Sequence, residues 1–182
     1  MTVKEIIITS CKMMQEDLLA QKINDETELN EEELVLKNEL VKCFNFIQNE
    51  IATEYIPLVK TEEITAVEGG LLLSSLSERI AYVISLKNSY GENVKYKIVG
   101  NKLIFDGTAT LNYCYCPKKV ELSSESKLLL PERVLAYGVL REYYLLQGFA
   151  SEASVFEKKF KNSLLNFSRR KSEVVMPKPA FM

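Results

Sequence analysis

Histidine, the commonest general base, is absent from the 182 residues, and so is tryptophan. The side chains left to do chemistry are four cysteines, two runs of carboxylates and a basic cluster near the end of the chain. Cys11 and Cys43 fall at apolar-periodic helical positions, where a thiol behaves as a small hydrophobe. Cys114 and Cys116 stand two apart in an alternating stretch, so a strand would turn both thiols to one face. A zinc site normally adds histidine or Cys-x-x-Cys spacing. Neither occurs, so buried reduced thiols are expected, with no metal or cofactor. Glu31–Glu33 read as a helix start, and Glu62 and Glu63 as a strand or turn surface. An acid–base pair instead needs two carboxyl groups held in one cleft. GxSxG, GxxxxGK[ST], GxGxxG and HExxH motifs are all missing. The expectation is a protein that is not an enzyme.

The basic set is Arg169, Arg170, Lys171 and Lys178, interleaved with apolar Val174, Val175, Met176 and Phe181. Charge of this density gives only weak, salt-sensitive, sequence-independent contact with phosphates. The segment reads either as a solubilising terminus or as an extended arm that orders on a partner. Charge is unevenly spread along the whole chain. Residues 1–70 hold 15 acidic and 6 basic side chains, net −9; residues 71–117 are net +2 and residues 118–182 net +5. Either the helix faces are simply solvated, or the two ends meet different partners, or each other head to tail around a ring.

The elements that must position these residues follow from periodicity. Val3, Ile7, Met14 and Leu18, flanked by Ile6 and Cys11, predict a helix over 3–20, broken at Asn24–Thr27. Asn30 offers an N-cap with Glu33 in capping-box position, and Glu31 and Glu32 suit the helix dipole. Leu34, Leu40, Phe44, Ile47, Ile51 and Tyr55 then predict one long helix, stopped before Pro57. From Leu58 the period changes. Alternation at Ile80–Leu86, Val94–Ile98, Leu103–Phe105 and Leu111–Tyr115 is punctuated by Asn88–Gly91, Gly100-Asn101 and Asp106-Gly107. This predicts an antiparallel meander over about residues 79–116. A further strand is expected at Glu62–Val67, with a flexible link at Gly69-Gly70. Pro131 opens a third helix carrying Val134, Leu135, Val139, Leu145, Leu146 and Phe149, with Tyr137, Tyr143 and Tyr144 at the core edge and Gly148 as terminator. Ser151 or Ser154 caps a last helix striped by Phe156, Phe160, Leu164 and Phe167.

The resulting fold class is α+β: an antiparallel bundle of about four helices with an inserted antiparallel β-meander lobe. The expected divisions are residues 1–58 for the N-terminal helices, 59–127 for the β lobe, 128–167 for the C-terminal helices and 168–182 for a basic tail. At 47% hydrophobic content the chain can bury one sizeable core. It lacks the ~18–20 residue apolar run that spans a bilayer. No signal peptide or membrane contact is expected, and the protein reads as made and used in the cytoplasm.

Three stretches carry a resemblance. The first runs from Asn49 to Leu58, at the helix-to-β junction. The second runs from Val94 through Gly107 and from Leu111 to Pro117, a hairpin followed by an aromatic strand ending in proline. The third runs from Leu130 to Gly148 and continues into the Phe156–Phe167 helix. In this order they resemble the head–tail connector (neck adaptor) proteins of tailed bacteriophages, of the Gram-positive prophage type. The resemblance implies a structural virion protein in the neck, forming a homo-oligomeric ring, dodecameric in such adaptors, below the portal protein. The ring extends the DNA channel and joins head to tail. It implies that the C-terminal segment docks on the portal, through Arg169, Arg170, Lys171, Val174, Val175, Met176 and Phe181. Its further partners would be a stopper or tail-completion protein. Glu31, Glu32 and Glu39 would line the channel, past which genomic DNA slides without specific binding. The alternatives are another phage assembly module, of tail-completion, stopper or scaffolding type, and a DNA-binding regulator.

Overall fold

The computed structural model describes residues 1–66 and 70–172, with side chains of the last helix through Phe167. It is a mixed α+β chain of five helices and two small antiparallel sheets among the described residues. The chain divides into two units, one of residues 1–47 with 120 onward, the other of Gln48–Lys119. The breaks fall at 47/48 and 119/120 rather than at the expected 58/59 and 127/128.

The first unit is helical. Helix α1 (Val3–Met13) opens on a reciprocal box, Thr2 N–H donating to Glu5 at 2.8 Å and Glu5 N–H to the Thr2 hydroxyl at 3.3 Å. The expected single helix over 3–20 is in fact two, because Gln15 takes a left-handed φ of 67° and α2 (Asp17–Asp25) starts afresh. The break resets the helical phase. Leu18, assigned to the apolar stripe, is 76% exposed, and Leu19, Ala20 and Ile23 are buried instead. Helix α3 (Glu31–Glu50) begins as expected: Glu33 N–H donates to Asn30 Oδ1 at 2.8 Å and Asn30 N–H to Glu33 Oε2 at 2.9 Å. Leu40, Phe44 and Ile47 are fully buried, but Leu34 is 43% exposed. At about 100° per residue, Leu34 lies roughly 120° around the helix from Leu40.

Helices α4 (Glu132–Leu146) and α5 (Ala150–Ser172) join at Gly148, whose φ of 79° is the expected terminator. Helix α5 starts at Ala150, ahead of both expected caps. It also runs through Ser172, so the backbone of residues 168–172 is helical rather than tail. The unit's core gathers Ile6, Ile7, Phe44, Ile47, Leu135, Val139 and Phe160, all without exposed surface. Gly138 lets α4 approach closely: a Cβ there would meet Ile47 Cγ2 at 2.8 Å and Phe160 Cε2 at 3.0 Å. Leu145, Leu146 and Phe149, expected in this core, are more than half exposed. Residues 120–126 are tied down by the Asn45 amide, which donates to Val120 O and accepts from Val120 N–H. Val3 and Lys4 add backbone bonds to Ser124 and Leu122.

In the second unit the last residues of α3, from Gln48, run into a π-helical turn, Ile51–Tyr55, closed by Ile56 N–H on Ile51 O at 2.7 Å. The Thr53 hydroxyl, donating to Asn49 O at 2.9 Å, competes for the carbonyls of the preceding turn. The strands are β1 (Val59–Thr65), β2 (Leu71–Leu72), β3 (Ile80–Lys87), β4 (Lys97–Val99), β5 (Lys102–Ile104) and β6 (Thr108–Tyr115). They form two sheets in the orders β1-β6-β3 and β2-β5-β4, in place of the expected meander. Gly100-Asn101 makes the expected hairpin between β4 and β5. Asp106-Gly107 does not: it carries the chain from one sheet to the other, Gly107 O accepting from Ala66 N–H at 2.9 Å. Val94 and Tyr96 lie outside the strands. Strand β6 is central because its inward residues, Ala109, Leu111 and Tyr113, join Ile64, Leu86, Leu103 and Phe105 in one core. Gly70 is no loose link; a Cβ there would sit 2.6 Å from Leu103 O.

Candidate functional site

The three carboxylates expected to face a channel come together on α3. Glu31, Val35 and Glu39 are spaced by four, so they share a face, with Glu32 and Leu36 beside them. With Tyr143 of α4 they line a shallow surface groove of about 430 Å³. Glu39 is fixed by Gln147, whose amide donates to it at 3.0 Å. Burial, and then the Glu39 charge, push the Tyr143 phenol above its ordinary range, so it stays neutral and able to donate. Val35, one of the lining residues, is 57% exposed. The lining therefore mixes carboxylates with apolar side chains, which suits a cationic and apolar segment better than a purely acidic wall would.

The wall behind Tyr143 is an aromatic ladder from α4 to α5. Tyr144 stacks on Phe156 at 5.5 Å and 11°, Tyr143 meets Tyr144 edge-on at 5.6 Å, and Tyr144 meets Phe149 at 6.4 Å. Of the three tyrosines expected at the core edge, Tyr144 and Tyr137, whose ring lies 6.3 Å from Phe156, bridge α4 to α5, while Tyr143 packs on Tyr144 and lines the groove. Below them Arg141, only 7% exposed, pairs with Glu142 at 2.7 Å and Glu157 at 3.0 Å and lies 5.2 Å from the Phe160 ring centre. Partial burial works against charge on Glu157, but hydrogen bonds from Lys161 and Arg141 outweigh it and hold the carboxyl below the ordinary range. Sequence reasoning passed over this network. Its one available signal was an arginine embedded in the apolar run Val134–Leu146.

In the second unit a polar cluster forms around Glu62. Its carboxylate accepts from Tyr113 Oη at 2.7 Å and from the Ser77 hydroxyl, and lies 3.5 Å from Lys60 Nζ. A serine beside a carboxylate and a lysine has the residue types of an activated nucleophile. Here the groups bind one another and tie the Ser77 segment to β1.

Cys11 and Cys43 are buried, and burial, reinforced by Glu16 at Cys11 and Glu142 at Cys43, pushes both thiols up to about 12. Cys114 is buried with Sγ 3.3 Å from Ala52 O, whereas Cys116, beyond the end of β6, is partly exposed. Among the described residues, no three histidine, cysteine, aspartate or glutamate side chains are grouped to hold a metal ion, and no helix is long and apolar enough to cross a membrane. The side chains of Arg169, Arg170 and Lys171, and all of Val174, Val175, Met176, Lys178 and Phe181, lie outside the described residues. No family model and no curated protein matches the sequence.

Proposed function

We propose that this chain is a structural subunit of head–tail connector type, a ring-forming neck protein that docks on a portal through its C-terminal segment. On this reading the helical unit is a bundle and the β unit is a lobe inserted into it, available to ring neighbours or to the next neck protein. The observation that carries the proposal is the incompletely covered surface of the helical unit. Leu34, Val35, Leu145, Leu146, Phe149 and Leu165 are each between 43% and 62% exposed. On this reading these side chains, from α3, the end of α4, the turn after it and α5, are the surface that partners cover. The polar clusters are occupied within the chain: the buried Arg141 pairs with Glu142 and Glu157, and the partly buried Glu62 accepts from Tyr113. Portal capture tests the proposal: the full chain is expected to form rings on purified portal, and a chain that ignores the portal would overturn it. If the chain instead binds duplex DNA and loses that binding on neutralising Arg169, Arg170 and Lys171, the regulator reading takes its place.

A further inference from the structure

The groove of Glu31, Glu32 and Glu39 is satisfied by something both cationic and apolar. Water serves exposed carboxylates well, but it serves Val35, Leu36 and Tyr143 badly. This chain contains such a segment. Residues 168–182 carry Arg169, Arg170, Lys171 and Lys178 against one carboxylate, Glu173, with Val174, Val175, Met176 and Phe181 among them.

Chain geometry keeps the basic cluster and Val174–Met176 off the groove of their own chain; only the end of the segment has the length to return to it. The groove lies at the Ala150 end of α5, since Tyr143 contacts Tyr144 and Tyr144 contacts Phe149. Helix α5 then runs from Ala150 to Ser172, about 33 Å at ~1.5 Å per residue. Met176 follows Ser172 by four residues, about 14 Å of extended chain. Even a fully extended chain is therefore too short to bring the first three apolar anchors to the groove of their own chain.

We propose that the groove receives residues 168–182 of a second copy of this chain. The basic end of one copy meets the acidic start of α3 on the next, and Val174–Met176 cover Val35 and Leu36. Groove and arm are different surfaces, so the contact is heterologous and repeats into a ring where its rotation closes. The proposal deepens the connector reading by naming a contact between neighbours, and rests on it only for ring closure. A portal and a neighbour's groove compete for the same arm.

The test is charge exchange in the full-length chain, followed by sedimentation velocity at low salt from micromolar to submillimolar concentration. One variant carries Glu31→Lys and Glu32→Lys, the other Arg169→Glu, Arg170→Glu and Lys171→Glu. Wild type is expected to self-associate, each variant alone about 10-fold or more weakly, and their equimolar mixture to recover, because each groove then meets an arm of opposite sign. A wild type that stays monomeric, association that neither exchange weakens, or a mixture that fails to recover overturns the proposal. A second measurement is independent of variant folding: a labelled peptide of residues 168–182 titrated into the wild-type chain. Saturable binding that weakens with salt is expected, and no saturation overturns the proposal. No portal is present, so failure here leaves portal docking standing, and failure of portal docking leaves this contact standing.

Discussion

Replacing Gly138 by alanine sets two effects of opposite sign against each other. Glycine inside a helix is about 1 kcal/mol less favourable than alanine, so propensity alone predicts that Gly138→Ala stabilises α4. The new methyl, however, would stand 2.8 Å from Ile47 Cγ2, 3.2 Å from Ile47 Cδ1 and 3.0 Å from Phe160 Cε2. Carbon atoms prefer about 3.5–4.0 Å. Ile47 and Phe160 have no exposed surface, so neither can swing out to make room. Overpacking of a filled core costs about 1–3 kcal/mol, which exceeds the propensity gain over most of that range. The expected net effect is destabilisation by about 1 kcal/mol, with α3 and α5 pushed off α4. In thermal unfolding followed by far-ultraviolet circular dichroism, that lowers Tm by about 2–4 °C for a chain of this size. A Tm that rises by a similar amount would refute the reasoning, because it would mean that α4 has room at Gly138 and that the contact with Ile47 is not close.

Asn30→Ala removes the side-chain half of the α3 cap and is expected to destabilise the chain by about 1 kcal/mol, read as a lower urea midpoint; an unchanged midpoint contradicts the cap. The Glu157 carboxyl is held below its ordinary value of 4.5 by Lys161 and Arg141. Its contribution is therefore complete above that value and is lost as pH falls through the lower folded value. Glu157→Gln should lower stability at pH 7 and flatten the decline between neutral and acidic pH; parallel curves for variant and wild type would exclude the ion pair as the cause. In the native protein Cys116 should react first with a thiol reagent at pH 8, while Cys11 and Cys43 react only on unfolding. Mass spectrometry of the labelled peptides checks the order, and early labelling of Cys11 contradicts its burial.

What could be read from the sequence was local chemistry. Asn30 and Glu33 three residues apart, Gly148 after an apolar run, and Gly100-Asn101 between alternating stretches each specify one turn of backbone, and each does so in the structure. The Thr2–Glu5 box has the same signature and was open to the same reading. Gln15 was not legible, because glutamine, unlike glycine or asparagine, carries no local signal for a left-handed φ. Strand pairing was not legible either. Asp106-Gly107 has hairpin residues, but β6 pairs with β1 and β3 because its inward face completes their core, a contact between segments far apart in sequence. The groove was legible as three glutamates and not as a groove. Its lining depends on Tyr143, more than a hundred residues away, and on Val35, which the apolar stripe of α3 leaves out and which is 57% exposed.

The measurement that bears most directly on the connector reading is portal capture, comparing the full chain with one ending at Phe167, read by native mass and electron microscopy. The account predicts closed rings on the portal with the full chain and their loss with the shortened one. A full chain that neither binds the portal nor forms a ring on it would contradict the account.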